Sequence, residues 1–283
     1  MFNETNLFKF VRSASAVESM LEGKLRFSKT DELNDPCELV DEINESMVAN
    51  SLIEFREKGY SDAEYQWLCR QDALLQSVSS QNQAIRVPNS KESAHRQILS
   101  SFYDDLARMA SLQRDAVKNI KEKAGILSLT SNWSSLPMWA HYADNAKGYV
   151  VIFNELDKAF SGDETGVLDE VVDVEYSDSF EGVTFKPSSQ RNLFFWKFLD
   201  WSYEREVRVV SSLNKCQKTF VGSNSMWLRR IAPKYVSGVI IGWNADKDSR
   251  SRLKKFCSNS KREIQLFEAG VSGVSVTISE ALT

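Results

Sequence analysis

Histidine is nearly absent: His95 and His141 are the two in 283 residues. That excludes a His-rich metal site and leaves few candidates for an imidazole base. Cysteine is sparse as well. Cys37, Cys69, Cys216 and Cys257 stand far apart, with no CxxC pair. A reduced, cytoplasmic chain without disulfides or a zinc cluster is the expectation. Twelve glycines offer no glycine-rich phosphate cradle. GxGxxG, GxxxxGKS/T, GxSxG and HExxH are all missing, which disfavours a dinucleotide-binding Rossmann unit, a P-loop NTPase, an α/β-hydrolase and a zincin. No apolar run approaches the roughly 18–20 residues that span a bilayer. Glu4 lies where a signal peptide carries base, so neither membrane insertion nor export is expected.

What is present is an ordinary globular composition: 42% hydrophobic, 26% charged and 11% aromatic. The length favours a single domain over 1–283. Leu7–Val11 and Leu25–Ser28 predict short strands, with a helix over Ser13–Leu21 stopped at Gly23. Leu33-Asn34-Asp35-Pro36 is a turn signal. A mostly helical insertion follows at about 39–123. Within it Ile98, Phe102, Leu106 and Met109 recur at helical spacing, and the polar stretch Gln76–Ser90 is a loop. β-like runs then return at Gly125–Ser131, Gly148–Phe153, Val171–Tyr176, Glu206–Val210, Phe220–Val221, Val236–Gly242, Ile264–Phe267 and Val274–Ile278. Asp246–Ser258 is a helix candidate. No βαβ repeat is visible. The fold class is therefore α+β, with a mixed or antiparallel sheet core and a helical insertion.

The net charge of −4 gives no whole-chain reason for a polyanion partner, but charge is uneven. Lys186–Glu263 holds 17 Lys/Arg against 6 Asp/Glu, a local +11, leaving −15 for the rest. Such a segment suits a phosphate-bearing ligand or nucleic acid. Equally, it is a solvated face neutralised by the acidic remainder.

Three clusters carry potential chemistry. In Trp201-Ser202-Tyr203-Glu204-Arg205-Glu206-Val207-Arg208, a strand would place Glu204, Glu206 and Arg208 on one face. Adjacent acids raise each other's pKa and Arg208 lowers both. The plain alternative is an edge strand with a surface ion pair. In Leu127–Trp133 and Pro137–Asp144, the hydroxyls of Ser128, Thr130 and Ser131 precede a short helix on which Trp139 and Tyr142 share a face beside His141. These aromatics form either a stacking wall for a ring or a core cluster. Lys9 and Arg26, on successive strands near Asn34-Asp35-Pro36-Cys37-Glu38, could grip a pyrophosphate. The alternative there is simple turn chemistry.

Taken in order, these stretches resemble a known family. The motifs are Leu7-Phe8-Lys9-Phe10, Gly23-x-Leu25-x-Phe27-Ser28, Asn34-Asp35-Pro36-x-Glu38, Met138-Trp139-x-His141-Tyr142-Ala143, Lys147-Gly148, Trp196-Lys197 and Tyr203-Glu204-x-Glu206-x-Arg208. From Leu7 to Ile241 this looks like the bacterial domain-of-unknown-function 2971 family, which itself supplies no reaction.

A more distant likeness is to ADP-ribosyltransferases. Glu204-x-Glu206 is similar to their paired-acid motif, and Ser128-Leu129-Thr130-Ser131 loosely to their hydroxyl strand. Lys9 stands where an early His or Arg is expected, and Lys lacks the planar fork of Arg. Arg12 or Arg26 is the alternative for that role. This second likeness implies a split sheet and an NAD-consuming enzyme, a mono-ADP-ribosyltransferase or NAD glycohydrolase, acting as a toxin or antiphage effector. It implies Glu206 as the carboxylate at the ribose and Glu204 as the group handling the acceptor. Ser128, Ser131, Trp139, His141 and Tyr142 would surround NAD, and Lys9, Arg26 and Arg208 would hold its pyrophosphate. No metal is expected. The acceptor is open, with nucleic acid one option. Two other classes stay open: a non-catalytic module binding nucleic acid or a nucleotide, and a Mg²⁺ nuclease built on Asp35, Glu38, Glu204 and Glu206.

Overall fold

A computed structural model describes residues 2–3, 5–35, 89–102, 106–160, 169–179, 193–221 and 224–281, with scattered positions between 53 and 69. The first strand, β1 (Leu7–Val11), leads into helix α1 (Ala14–Leu21). The Ser13 hydroxyl caps that helix by accepting from the Ala16 amide. Gly23 ends the turn at φ +80, where a Cβ would lie 2.3 Å from the Ile231 carbonyl oxygen. β2 (Lys24–Lys29) follows. After it come α2 (Lys91–Phe102), α3 (Leu106–Lys123), β3 (Ala124–Thr130), α4 (Leu136–His141), β4 (Tyr149–Phe153) and α5 (Leu156–Phe160). Next are β5 (Val171–Asp173), β6 (Glu175–Ser177), β7 (Trp196–Phe198), β8 (Glu206–Ser212), β9 (Gln217–Val221) and β10 (Asn224–Arg230). The chain closes with β11 (Val236–Ile241), α6 (Lys247–Ser258), β12 (Gln265–Ser272) and β13 (Ser275–Glu280).

The fold is α+β, with an open, mostly antiparallel sheet of eleven strands among the described residues. Its order is β13-β12-β11-β4-β1-β3-β2-β10-β9, with β8 beside β3 and β5 beside β8. β4 is the most buried strand, YVVIF without a polar residue, because both its faces are covered. Tyr149, Val151 and Phe153 pack with α1 and with Leu253 of α6 in one core, while Val150 and Ile152 pack with Trp139 and Phe267 in another. A third cluster joins Val117 of α3 to Ile126, Val210 and Leu193-Phe194-Phe195.

Two features differ from the expected reading. β11 and β12 run parallel through α6, so the sheet holds one βαβ crossover, an element not singled out in the sequence although a βαβ repeat is rightly not seen. The sequence marks the helix clearly, but direction depends on which edge the returning strand joins. Val171–Tyr176 is two strands: β5 pairs with β8 in the main sheet, and β6 pairs with β7 in a separate two-stranded sheet. Val174 is buried between them and donates its amide to the Glu206 carbonyl, so one alternating run serves two sheets.

Of the insertion at 39–123, α2, α3 and scattered positions are described. Pro36-Cys37-Glu38, most of the 76–90 loop and the side chains of the Ile98–Met109 stripe lie outside the described residues.

The feature that positions the site is a gap in the β1–β3 pairing. Those strands meet at one register pair, Phe8↔Thr130. Farther along, the same strand β3 pairs with β2 at Ile126 and Gly125. Between these two contacts β1 and β2 leave the edge of β3 open, and a cleft forms there.

Candidate functional site

The cleft has a volume of about 90 Å³ and is lined by Phe8, Lys9 and Phe10 of β1, by Ser128, Leu129 and Thr130 of β3, and by Met138, Tyr142, Asn34, Lys197, Glu204 and Glu206, with Leu33 beside them. On this side of the sheet β8 presents Glu206, Arg208 and Val210, because Val207 and Val209 face the α1–α6 core. The polar groups therefore sit between two apolar clusters.

Glu204 arrives differently from the expected strand geometry. It ends a 3-10 turn, Leu199–Glu204, and Arg205 adopts φ 42, ψ 52 before β8 begins at Glu206. Left-handed backbone at a non-glycine residue costs about 1–2 kcal/mol, yet it turns both acids inward while Arg205 stays exposed. The Thr130 hydroxyl donates to the Glu204 carbonyl at 2.5 Å, and the Ser131 amide donates to the Arg205 carbonyl at 3.1 Å. These bonds fix the turn against the end of β3.

The acids belong to one buried network. Tyr142 donates its hydroxyl to Glu204 Oε1 and accepts from Asn34 Nδ2 at 2.9 Å. Lys197 Nζ lies 2.8 Å from Glu204 Oε2 and 3.0 Å from Glu206 Oε2. Arg208 grips Glu206 with Nε at 2.7 Å and Nη2 at 2.8 Å, and gives Nη1 to the Phe194 carbonyl at 2.6 Å. The backbone amide of Glu206 donates to the Tyr176 hydroxyl at 2.7 Å. Lys9 Nζ donates to the Ser128 carbonyl at 2.7 Å, bridging the open edge of β3.

The electrostatics follow from burial and from these partners. Burial raises the Glu206 pKa, Lys197 opposes the rise, and Glu204 adds to it. Burial works against the Lys197 charge, but Glu206 and Glu204 overcome it and raise its pKa. Burial raises the Tyr142 phenol, as does its bond to Glu204, so it stays a neutral donor. Tyr176 is pushed up to about 12, chiefly by burial. Lys9 is lowered to about 8 by burial, with Glu206 resisting and Arg26 assisting. Near neutral pH the cleft thus holds two carboxyls joined by the Lys197 ammonium, a phenol donor, and the Lys9 ammonium, which gives up its proton near pH 8.

The structure gathers Lys9, Ser128, Tyr142, Glu204 and Glu206 into this cleft. Other expected residues lie elsewhere. Trp139 is 0% exposed and packs edge-on against Phe10 and beside Trp243, with its indole N–H given to the Trp133 carbonyl. It is core, because its helical face turns toward the sheet. Arg208 is also 0% exposed, and its guanidinium is committed to Glu206 and Phe194. It supports an acid and does not face a pyrophosphate. Arg26 pairs with Glu32 in solvent. His141 and Ser131 are exposed and do not line the cleft. Lys197 was missed as a site residue, though Trp196-Lys197 was among the motifs. Its three-residue strand gives too short a pattern to show that it faces the acids. Asp35 is buried and supports the Arg208 charge, while Glu38 lies outside the described residues.

Fold and site together define a mixed α/β protein whose interrupted antiparallel sheet opens onto a buried pair of glutamates. A family model described as protein of unknown function (DUF2971) matches residues 138–209. This supports the likeness to the domain-of-unknown-function 2971 family, over a shorter stretch than the motifs span. Met138, Tyr142, Lys197, Glu204 and Glu206 of the cleft all fall inside it. No curated protein and no solved structure matches the chain.

Proposed function

We propose that the cleft breaks the nicotinamide–ribose bond of NAD and passes ADP-ribose to an acceptor or to water. The observation that carries this reading is the convergence of Glu204 and Glu206, beside Tyr142, at the open edge of β3. Cleavage of a glycosidic bond develops oxocarbenium character at the ribose, and a buried carboxylate offsets that charge most strongly where water is excluded. Glu206 is the acid for that role, since burial and Lys197 tune it together. Glu204, tied to Tyr142, orients the acceptor hydroxyl or water. Lys9 supplies positive charge for phosphate oxygens, and the Ser128 hydroxyl hydrogen-bonds Glu206. A volume of about 90 Å³ is small against the roughly 300–1,000 Å³ of sites enclosing a whole ligand. A dinucleotide would place its reacting end inside and the rest along the mouth.

The test is incubation with labelled NAD together with bacterial protein, RNA and DNA. Nicotinamide release or label transfer is expected from the wild type, and Glu206→Gln should reduce it by about 10²–10³-fold. No release and no transfer by the wild type, with Glu206→Gln indistinguishable from it, ends the proposal. If the activity serves as a toxin or antiphage effector, bacterial expression of the wild type slows growth and Glu206→Gln relieves it.

A further inference from the structure

Lys197 is the most enclosed cation that borders the cleft. Its side chain is 3% exposed, and its ammonium lies within 3.0 Å of oxygens from both glutamates. Trp201 covers it, with Nζ 5.0 Å from the ring centroid. Two buried carboxylates in one cleft repel, and one of them ordinarily takes up a proton. The alternative remedy is a shared cation of fixed position. Arg208 cannot serve both acids, because its fork is spent on Glu206 and the Phe194 carbonyl. Lys9 feels the Glu206 charge, but its ammonium is given to the Ser128 backbone carbonyl. A lysine suits the shared position better than an arginine: its donors radiate from a point, so one ammonium can serve carboxylates approaching from two elements.

We propose that Lys197 is the positioning residue of the cleft, a charge clamp that holds the carboxyls of Glu204 and Glu206 side by side in fixed orientation. The clamp deepens the proposed NAD chemistry and rests on that reading for its purpose, but its physical content is independent of any substrate. Without Lys197, Glu206 faces Glu204 with Arg208, the Ser128 hydroxyl and the Lys9 charge left to compensate, so its titration moves up by the share that Lys197 supplied. Removing Glu204 as well takes away the repulsion, so the titration moves back down. A residue that merely fills space produces neither change.

The experiment is a ¹³C NMR titration of selectively labelled glutamate side chains in the full chain. The forms compared are wild type, Lys197→Met, Lys197→Arg, Glu204→Gln and the double variant Lys197→Met/Glu204→Gln. Lys197→Met is expected to raise the Glu206 titration by about 1–3 pH units, Lys197→Arg by less, and the double variant to reverse most of the rise. An unchanged Glu206 midpoint in Lys197→Met, or a rise that persists in the double variant, overturns the clamp. If Lys197→Met fails to fold, Lys197→Arg and Glu204→Gln decide the matter. Glu206 must then titrate lower in Glu204→Gln than in wild type, and unchanged midpoints in both variants overturn the clamp. Where NAD turnover is measurable, the acid limb of the kcat profile moves to higher pH in Lys197→Arg with little change in KM. Absence of turnover in every form removes the NAD reading and leaves the clamp to stand or fall on the titration.

Discussion

At the level of single residues, burial separates groups that look alike in the sequence. Glu204, Glu206 and Arg208 form a short string of charges; spacing predicts one shared strand face, whereas the acids reach Tyr142 around a bend at Arg205. Their division of labour was not legible from spacing. Alternation tells which side chains share a face, but says nothing about whether that face meets solvent. Arg208 therefore looks like a ligand-binding base in the sequence and is a fully buried support in the fold. Removing one member of a buried ion pair strands the other, at a cost of about 3–5 kcal/mol. Arg208→Met is expected to lose stability on that scale in urea denaturation, even though the new side chain is apolar and flexible. A loss below 1 kcal/mol (order of magnitude) would mean that Glu206 is not held as described.

Lys9 makes a second residue-scale prediction. Its folded pKa of about 8 lies below the ordinary lysine value of 10.5. Between those values the unfolded chain binds more protons than the folded one, so raising the pH favours folding. Burying the charged form is thus a burden at pH 7 that lightens as pH rises above 8. Lys9→Met should be stabilised relative to wild type at pH 7, with the advantage shrinking toward pH 10. Melting curves of both proteins across that range check it. Binding of an anionic ligand such as ADP-ribose should run the other way, weakening above about pH 8 in wild type and staying flat in Lys9→Met.

At the level of elements, the strands with apolar or cleanly alternating runs were readable. β1, β2, β3, β4, β8 and β11 appear within a residue or two of their predicted ranges, and so do α1 and α6. β7 and β10 did not announce themselves. β7 is three residues long. β10, NSMWLRR, is half-buried along most of its length and carries no clear period. The turn at Gly23 was legible for a simple reason: a helix needing a left-handed stop takes glycine. Its tight contact with Ile231 was not, since that neighbour comes from more than 200 residues away. Gly23→Ala is expected to destabilise by about 1–3 kcal/mol, through both the positive φ and the collision. Chemical denaturation measures it, and a neutral outcome would place the β2–β10 edge farther away than the Ile231-to-Gly23 hydrogen bond of 2.8 Å allows.

At the level of the whole molecule, part of the +11 segment is paired within the fold. Lys197 and Arg208 are spent on the two cleft glutamates, Lys215 and Arg229 on Asp169, Arg250 and Lys254 on Glu268, and Arg252 on Glu18. Asp169, Glu268 and Glu18 lie outside the segment, so these three acids of the remainder bring its +11 to +8 (11 − 3). A charge count along the chain cannot see this, because pairing is decided by the fold. Among the described residues no helix is long and apolar enough to cross a membrane.

The left-handed residue between the two glutamates sets a stricter rule than the motif suggests. On an unbroken strand, acids two apart point the same way whatever lies between them. Here the agreement depends on a corner: one acid stands before the bend and the other after it. Lengthening or shortening that corner by a single residue would swing one carboxyl away while leaving every side chain in the cleft chemically intact. Glu-x-Glu in this chain is a measured distance around a bend, and a sequence that kept both acids but changed their interval would keep the ingredients and lose the device.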